Sequence, residues 1–246
     1  MGSSSGENTA LRVSPTNQRF ELFESLRAIA ALSVLVFHTA GWARVGLGAW
    51  YGAFTSKLYV GVTLFFLISG FLLYRPHAVQ MLGGPAAPHT GDYALRRAFR
   101  ILPAYWVALT VLGLWPGLRG VFTEDWWVYY GLLQSYRAEW STQGIGVAWS
   151  LSMEMAFYAL LPLLAMALSR ATQRMDLRGR MRLQLLAFAA LGVGTLIFRA
   201  ATHHARLQDL DTTLPANLLG FLAGMALAVV SAWCEGRERD WWLVRG

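Results

Sequence analysis

The sequence predicts an all-α membrane protein, a polytopic bundle of about six or seven transmembrane helices. Two observations predict this class. Hydrophobic residues make up 55% of the chain and charged residues only 14%, whereas soluble domains carry about 25% charged residues. Several apolar stretches also reach the length of about 20 residues that a helix needs to cross the hydrocarbon core of a bilayer. We therefore expect an integral membrane protein.

The charge distribution fits a membrane protein better than a nucleic-acid-binding one. The net charge is +7, but the basic residues are almost all arginines between apolar segments, where they act as topology signals and contact anionic lipids. A nucleic-acid partner is therefore not expected. Because Cys234 is the only cysteine, an intramolecular disulfide and a cysteine-based metal site are excluded. The scattered histidines offer no converging ligands, so no metal is expected.

The predicted elements follow one another in a simple order. Residues 1–19 are polar and predict a disordered cytosolic tail, residues 20–236 form the transmembrane domain, and residues 237–246 are a short cytosolic tail or the start of a further span. Residues 119–147 have too short an apolar part to cross; if they crossed, the basic loop 170–182 would lie outside, against the positive-inside tendency. We interpret them as interfacial or re-entrant on the outer side. The six predicted spans, which put both termini in the cytosol, are residues 20–40, 58–74, 101–118, 148–168, 183–201 and 214–233.

The first predicted span carries two ionisable residues, Arg27 and His38. Charged groups are costly in hydrocarbon and are functional candidates by default. At ~100° and ~1.5 Å per residue, the two side chains lie about 20° apart around the helix and roughly 16 Å apart along it. The residues between them on that face are small, so a ligand or a neighbouring helix can lie along it. The alternative is that each residue reaches an interface by snorkelling.

The second predicted span contains two small residues in succession, Ser69 and Gly70. Small residues let helix backbones approach each other closely in membranes. We therefore interpret this pair as a packing site between helices.

A basic run precedes the third span and contains Arg96, Arg97 and Arg100. On a helix, Arg97 and Arg100 lie about 60° apart and ~4.5 Å apart along the axis, so their guanidinium groups converge on one anion. Arginine suits phosphate because its planar fork gives bidentate, charge-assisted hydrogen bonds. The alternative is a positive-inside anchor beside anionic lipids.

The fourth span carries a carboxylate, Glu154. Ser150, Glu154 and Tyr158 follow one another at intervals of four and form one polar stripe on an otherwise apolar helix. A buried carboxylate must be paired, protonated or beside water. Since this helix begins on the outer side, toward which His38 also lies, we predict that Glu154 accepts a hydrogen bond from His38 and stabilises its imidazolium form. The alternative is an inter-helix hydrogen bond without a catalytic part.

Five stretches, found in the same order along nearly the whole chain, resemble those of the acyltransferase 3 family. Members of this family are membrane enzymes that acylate hydroxyl groups of cell-surface saccharides, macrolides and similar acceptors. The stretches that carry the resemblance are LRAIAALSVLVFH, GVTLFFLISGFLLYRP, RRAFRILPAYW, WSLSMEMAFYALLP and FLAGMALA.

The resemblance implies an O-acyltransferase that moves an acyl group from acyl-CoA, a co-substrate and not a bound cofactor, to a hydroxyl of a glycan, lipid-linked or natural-product acceptor. It implies that the enzyme lies in a bacterial inner or plasma membrane, with the N-terminus in the cytosol and the donor entering from there. By position in the motifs, His38, Arg27 and Glu154 are the expected catalytic residues. The expected donor-binding residues are Arg97, Arg100 and Arg96.

The chain departs from the family pattern at Glu24, where the family often has Asp, at Thr63 and Met155, where it often has acidic residues, and in length. Thr63 stands where the family often has an acidic residue, which removes a partner for Arg27 or His38 within the membrane. The family also usually continues for several further spans, so we expect this chain to be shorter than a complete member. Two alternatives therefore stay open: a non-catalytic membrane permease, and an inactive shortened relative.

Overall fold

The computed structural model describes residues 21–43, 50–87, 90–141, 143–205 and 208–243. Within these ranges the chain forms helices and no strands, as the sequence predicts. The predicted tail of residues 1–19 lies outside the described residues. The α-helices are α1 (Glu21–Trp42), α2 (Trp50–Lys57), α3 (Val60–Met81), α4 (Thr90–Leu114), α5 (Trp126–Tyr130), α6 (Ala138–Ser141), α7 (Trp149–Thr172), α8 (Leu177–His204) and α9 (Leu214–Leu243).

Among the described residues, six helical segments are long and apolar enough to cross a membrane. Each overlaps one predicted span, so the all-α class and the six predicted crossings are confirmed. The segment between α4 and α7 contains only short helices in its described part, and it supplies no span. The six segments are Leu22–Gly41, Phe54–Met81, Leu95–Leu114, Gly146–Thr172, Leu177–His204 and Leu210–Glu235.

The central helix of the bundle is α3, which packs against α1, α7 and α9. Its contact with α9 is closest at glycines. A Cβ atom on Gly70 would lie 2.2 Å from the carbonyl oxygen of Phe221, and one on Gly224 would lie 2.0 Å from that of Leu67. Both distances are far below any non-bonded contact, so the two backbones touch only because side chains are missing here. The predicted packing role of Gly70 is confirmed.

Paired residues fix the direction of each long helix. The helices α3, α7 and α9 run parallel to one another, and α1, α4 and α8 run in the opposite direction, which is the alternation that six successive crossings require. The contacts of α3 are Leu67–Gly224 and Arg75–Glu235 with α9, Phe66–Trp149 and Ser69–Glu154 with α7, and Phe71–Phe23 and Gly61–Val34 with α1. The direction of α4 follows from its contacts with the α7 side, Arg97–Tyr158 and the cluster that holds both Leu109 and Ala148. The direction of α8 follows from Gln184–Tyr74 with α3 and Gly192–Leu219 with α9.

The two ends of the bundle differ in charge. One end, where α1 begins and α3 ends, we call the arginine-rich end; the other, where α1 ends, we call the opposite end. Among the described residues, the opposite end carries Lys57, Arg119, Arg137 and Arg199. The arginine-rich end carries Arg75, Arg96, Arg97, Arg100, Arg170, Arg174, Arg178, Arg180 and Arg182.

The long helices extend beyond the predicted spans, and the largest extensions at one end are those of α3, α4 and α9. α3 continues through Pro76 to Met81, because Ala78 and Met81 are buried in the core and packing outweighs the backbone donor that proline lacks. α4 begins at Thr90, before its apolar part, and α9 continues to Leu243. In each case the apolar run marks the span but not the end of the helix.

Candidate active site

Arg27 and His38 lie on the side of α1 that packs against α3. The contact between the helices is made at Gly61, whose Cα faces the carbonyl oxygen of Ala30 and the side chain of Val34. Arg27 and His38 flank these two residues at helical intervals of three and four, so all four share one side of α1. Both ionisable side chains are partly buried. The sequence allows a ligand or a neighbouring helix along this face, and in the structure the helix α3 packs there.

Aromatic rings surround the end of α1 that carries His38. The neighbouring Phe37 ring lies edge-on to Tyr59, with a centroid distance of 5.7 Å. The Tyr59 ring stacks on Trp149 at 5.9 Å and an interplanar angle of 12°. These rings form an aromatic surface beside the imidazole at the opposite end. Arg199 and Asp211 lie within electrostatic range of the Tyr59 hydroxyl.

The three arginines of the basic run lie on the first turns of α4, which confirms the helical spacing on which their convergence depends. Arg96 and Arg100 are exposed, and Arg97 is partly buried. The Arg97 Nη1 atom donates a hydrogen bond to the Tyr158 hydroxyl at 3.3 Å. Its Cζ atom lies 6.0 Å from the centroid of the Tyr158 ring. One arginine of the run is thus held against α7 while its two neighbours face outward.

Glu154 is bound from α3. The Ser69 hydroxyl, which is 3% exposed, donates a hydrogen bond of 2.6 Å to the Glu154 Oε1 atom. Tyr158 lies one helical turn further along α7, on the same side of the helix as Glu154. Ser69, Glu154, Tyr158 and Arg97 therefore form one set of neighbouring side chains, which we call the polar chain. It joins α3, α7 and α4.

The predicted hydrogen bond between Glu154 and His38 is not formed in the described part of the chain. The reason is helix register. Glu154 meets α3 at Ser69, whereas α1 crosses α3 at Gly61, and the stretch between these two positions is about 12 Å of helix. His38 lies a further helical turn beyond that crossing, toward the opposite end. The alternative of an inter-helix hydrogen bond is what the structure shows for Glu154, while the catalytic roles of Arg27, His38 and Glu154 stay predictions.

Glu154 and Tyr158 of the predicted polar stripe lie in the polar chain, and the third predicted member, Ser150, is replaced by Ser69 of α3. Ser150 does not belong to the polar chain, since its hydroxyl donates to the backbone carbonyl of Val147 at 3.3 Å. Ser69 does belong to it, although its small size predicted only a packing role. A hydroxyl in an otherwise apolar span was the available signal, but its partner depends on how α3 and α7 are aligned.

The chain is similar to known membrane acyltransferases. The acyltransferase 3 family model, described as an acyltransferase domain, matches residues 21–246. A protein of Komagataeibacter xylinus provisionally named membrane-bound transacylase BcsY is 30% identical over 65% of this chain and 40% of its own length. The peptidoglycan O-acetyltransferase OatA of Listeria monocytogenes is 22% identical over 84% of this chain and 33% of its own length. The chain thus spans well under half the length of these relatives. No solved structure matches it.

Proposed function

The chain belongs to the acyltransferase 3 family, and we propose that it carries the centre that transfers an acyl group from acyl-CoA to a hydroxyl group of a saccharide acceptor. The observation that carries this proposal is the placement of Arg27 and His38. Both lie partly buried on the α1 face that packs against α3, inside an integral membrane protein where unneeded ionisable groups are costly.

The donor is proposed to bind at the arginine-rich end. Arg96, Arg97 and Arg100 supply guanidinium groups on adjacent turns of α4, which suits the phosphates of CoA. The excess of arginine at this end fits the cytosolic side of the membrane, where acyl-CoA is found. The pantetheine arm then extends along the bundle toward Arg27 and His38.

The acceptor is proposed to approach from the opposite end. There the imidazole of His38 lies beside the aromatic surface formed by Phe37, Tyr59 and Trp149. Relatives of the chain are named as peptidoglycan O-acetyltransferases, and an aromatic surface with nearby charged groups suits a saccharide because sugars offer both C–H faces and hydroxyl groups. The acetyl group is the corresponding acyl group for this chain.

In the proposed reaction, His38 acts as general base. Its ring nitrogen takes the proton from the acceptor hydroxyl as the hydroxyl oxygen bonds to the thioester carbonyl carbon. Arg27 lies roughly 16 Å from His38 along α1, so it holds the donor on its way to the imidazole and does not contact the reacting carbonyl. The carbon–sulfur bond then breaks, and the CoA thiolate takes the proton from the imidazolium, leaving an O-acyl ester and CoA. In a second route the imidazole is acylated first and then deacylated by the acceptor.

Transfer from labelled acetyl-CoA to a panel of saccharides, with the chain reconstituted in liposomes, tests the proposal. His38→Ala is expected to lower the initial rate by about 10²- to 10⁴-fold, the usual contribution of a general base. Arg27→Ala, which removes a contact with the donor, is expected to raise the KM for acetyl-CoA about tenfold. The matched control is His204→Ala, because His204 is exposed at the end of α8 and should keep the wild-type rate. A His38→Ala variant as active as the wild type would remove the imidazole from the mechanism.

The two chemical routes differ in what accumulates without an acceptor. In a single turnover with labelled acetyl-CoA alone, the covalent route leaves label on the protein, and this label is absent from His38→Ala. Direct transfer leaves the protein unlabelled until an acceptor is added.

A further inference from the structure

We propose that Ser69, Glu154 and Tyr158 position Arg97 for the donor's phosphate, so that Glu154 serves the donor site and not His38. This inference rests on the proposed function, because it assigns a task within the same site. It makes Ser69, Glu154 and Tyr158 positioning residues that act through the Arg97 guanidinium.

The hydrogen bonds of the polar chain have one consistent direction. Arg97 Nη1 donates to the Tyr158 oxygen, which leaves the Tyr158 hydroxyl proton available for Glu154, one helical turn away on the same side of α7. Ser69 donates to the Glu154 carboxylate from α3. The carboxylate thus lies between the Ser69 and Tyr158 positions, and its negative charge favours the Arg97 cation.

Ser69 differs from several hydroxyls of the long helices. Ser33, Ser152 and Thr172 each donate to the carbonyl oxygen four residues earlier in their own helix, which is the usual local bond of such side chains. The Ser69 hydroxyl instead donates to Glu154 of α7. Its bond therefore fixes the position of the carboxylate relative to α3.

The arginines of α4 differ in how they are held. Arg97 is partly buried against Tyr158, whereas Arg96 and Arg100 are exposed. A long side chain that is fixed before the ligand arrives loses less conformational entropy on binding. Arg97 is therefore the preorganised member of the run, and Arg100, one turn away, completes the grip on the same phosphate.

The position of the polar chain along the bundle separates it from His38. The chain runs from Ser69 toward the arginine-rich end, where Arg97 lies. His38 lies beyond Gly61 toward the opposite end, on the far side of the α1–α3 crossing. A change in Glu154 is thus transmitted to Arg97 through the neighbouring Tyr158 hydroxyl, while no described hydrogen bond leads from it to the imidazole.

Steady-state kinetics with acetyl-CoA as the varied substrate test the inference. Ser69→Ala, Tyr158→Phe and Glu154→Gln are each expected to raise the KM for acetyl-CoA about tenfold, which corresponds to 1.4 kcal/mol, with kcat within about twofold of the wild type. The matched control is Ser152→Ala, which removes a buried hydroxyl that bonds only its own helix and should keep the wild-type KM. Near-additive free energies for Ser69→Ala and Tyr158→Phe would contradict a connected chain, since linked residues are non-additive.

The pH profile separates this role of Glu154 from the earlier one. If Glu154 orients His38, Glu154→Gln shifts the acidic limb of the kcat profile and lowers kcat, whereas a donor-positioning role leaves that limb in place. A shifted limb with an unchanged KM would overturn the inference.

Direct binding of CoA without turnover, measured by calorimetry on wild type and on the same three variants, separates the inference from the proposed function. Wild type that binds CoA but transfers nothing contradicts the proposed function, and a roughly tenfold weaker binding in Ser69→Ala and Tyr158→Phe still supports the inference. Normal transfer with unaltered CoA binding in all three variants contradicts the inference alone.

Discussion

Replacing Gly224 by alanine should separate α3 from α9 and lower the stability of the bundle. The added Cβ would lie 2.0 Å from the carbonyl oxygen of Leu67, whereas ordinary contact begins near 3.4 Å. The overlap is therefore 3.4 − 2.0 = 1.4 Å, and it is with backbone, which cannot rotate away. Overpacking costs roughly 1–3 kcal/mol, and a clash with rigid backbone belongs at the upper figure of about 3 kcal/mol. Alanine regains about 1 kcal/mol of helix propensity, so we expect a net loss of about 2 kcal/mol.

The matched control is Gly194→Ala in α8, where nothing lies within 4 Å of the added Cβ. The same gain in helix propensity then acts alone, and the variant should be more stable by about 1 kcal/mol. Identical chemical changes at Gly224 and Gly194 are thus expected to have opposite signs. Gly70→Ala, with its Cβ 2.2 Å from the Phe221 carbonyl oxygen, should behave like Gly224→Ala.

Thermal unfolding in detergent measures both changes. For a protein of this size, 1 kcal/mol shifts the Tm by about 2–4 °C, so Gly224→Ala should lower the Tm by about 4–8 °C and Gly194→Ala should raise it by about 2–4 °C. A Gly224→Ala protein with a Tm equal to or above that of Gly194→Ala would refute the close α3–α9 contact.

Two further predictions concern regions outside the site. Arg180 donates hydrogen bonds to three backbone carbonyls, including that of Met81 at the end of α3, so Arg180→Ala should cost about 2 kcal/mol and lower the Tm, while the exposed Arg178→Ala should not. Burial and two nearby carboxylates raise the pKa of Tyr129 above its usual value of 10.0, so the folded protein binds the phenolic proton more tightly than the unfolded chain. The resulting stabilisation is present below about pH 10 and is lost as the pH rises further; Tyr129→Phe should lose less stability than wild type between pH 9 and about 11. If wild type and Tyr129→Phe lost the same stability with rising pH, the role given to Tyr129 would be wrong. An unchanged Tm in Arg180→Ala would contradict the role given to Arg180.

The spans were predictable because each of them is a long apolar run, and hydrocarbon admits no other structure for such a run than a helix with all its backbone bonds made internally. The helical spacing of Arg97 and Arg100 was predictable for a related reason, since both lie within one helix, and their convergence on one phosphate stays a prediction. The ends of α3, α4 and α9 were harder to predict from the sequence. They depend on packing at Ala78 and Met81 and on polar turns that extend past the apolar run.

The Ser69 partner of Glu154 was the main feature that could not be predicted from the sequence. The directions of α1 and α7 predict that His38 and Glu154 both lie toward the outer side, where a carboxylate can accept a hydrogen bond from an imidazole. The register between α1, α3 and α7 determines which side chain meets Glu154, and it places Ser69 opposite the carboxylate. Register between helices is set by where their backbones can touch, here at Gly61, Gly70 and Gly224.

The sequence by itself determined that the protein is a bundle of membrane-spanning helices, which helix carries each ionisable group, and which groups share one side of a helix, because periodicity and apolar length act within a single segment. Only the tertiary structure decided which groups of different helices meet. It brought Ser69 to Glu154 and Arg97 to Tyr158 on the same side of α7, and it held His38 apart beside the Phe37 ring. The physical reason is that contacts between helices follow from their crossing points and relative depth, and these depend on close packing along the whole length of α3.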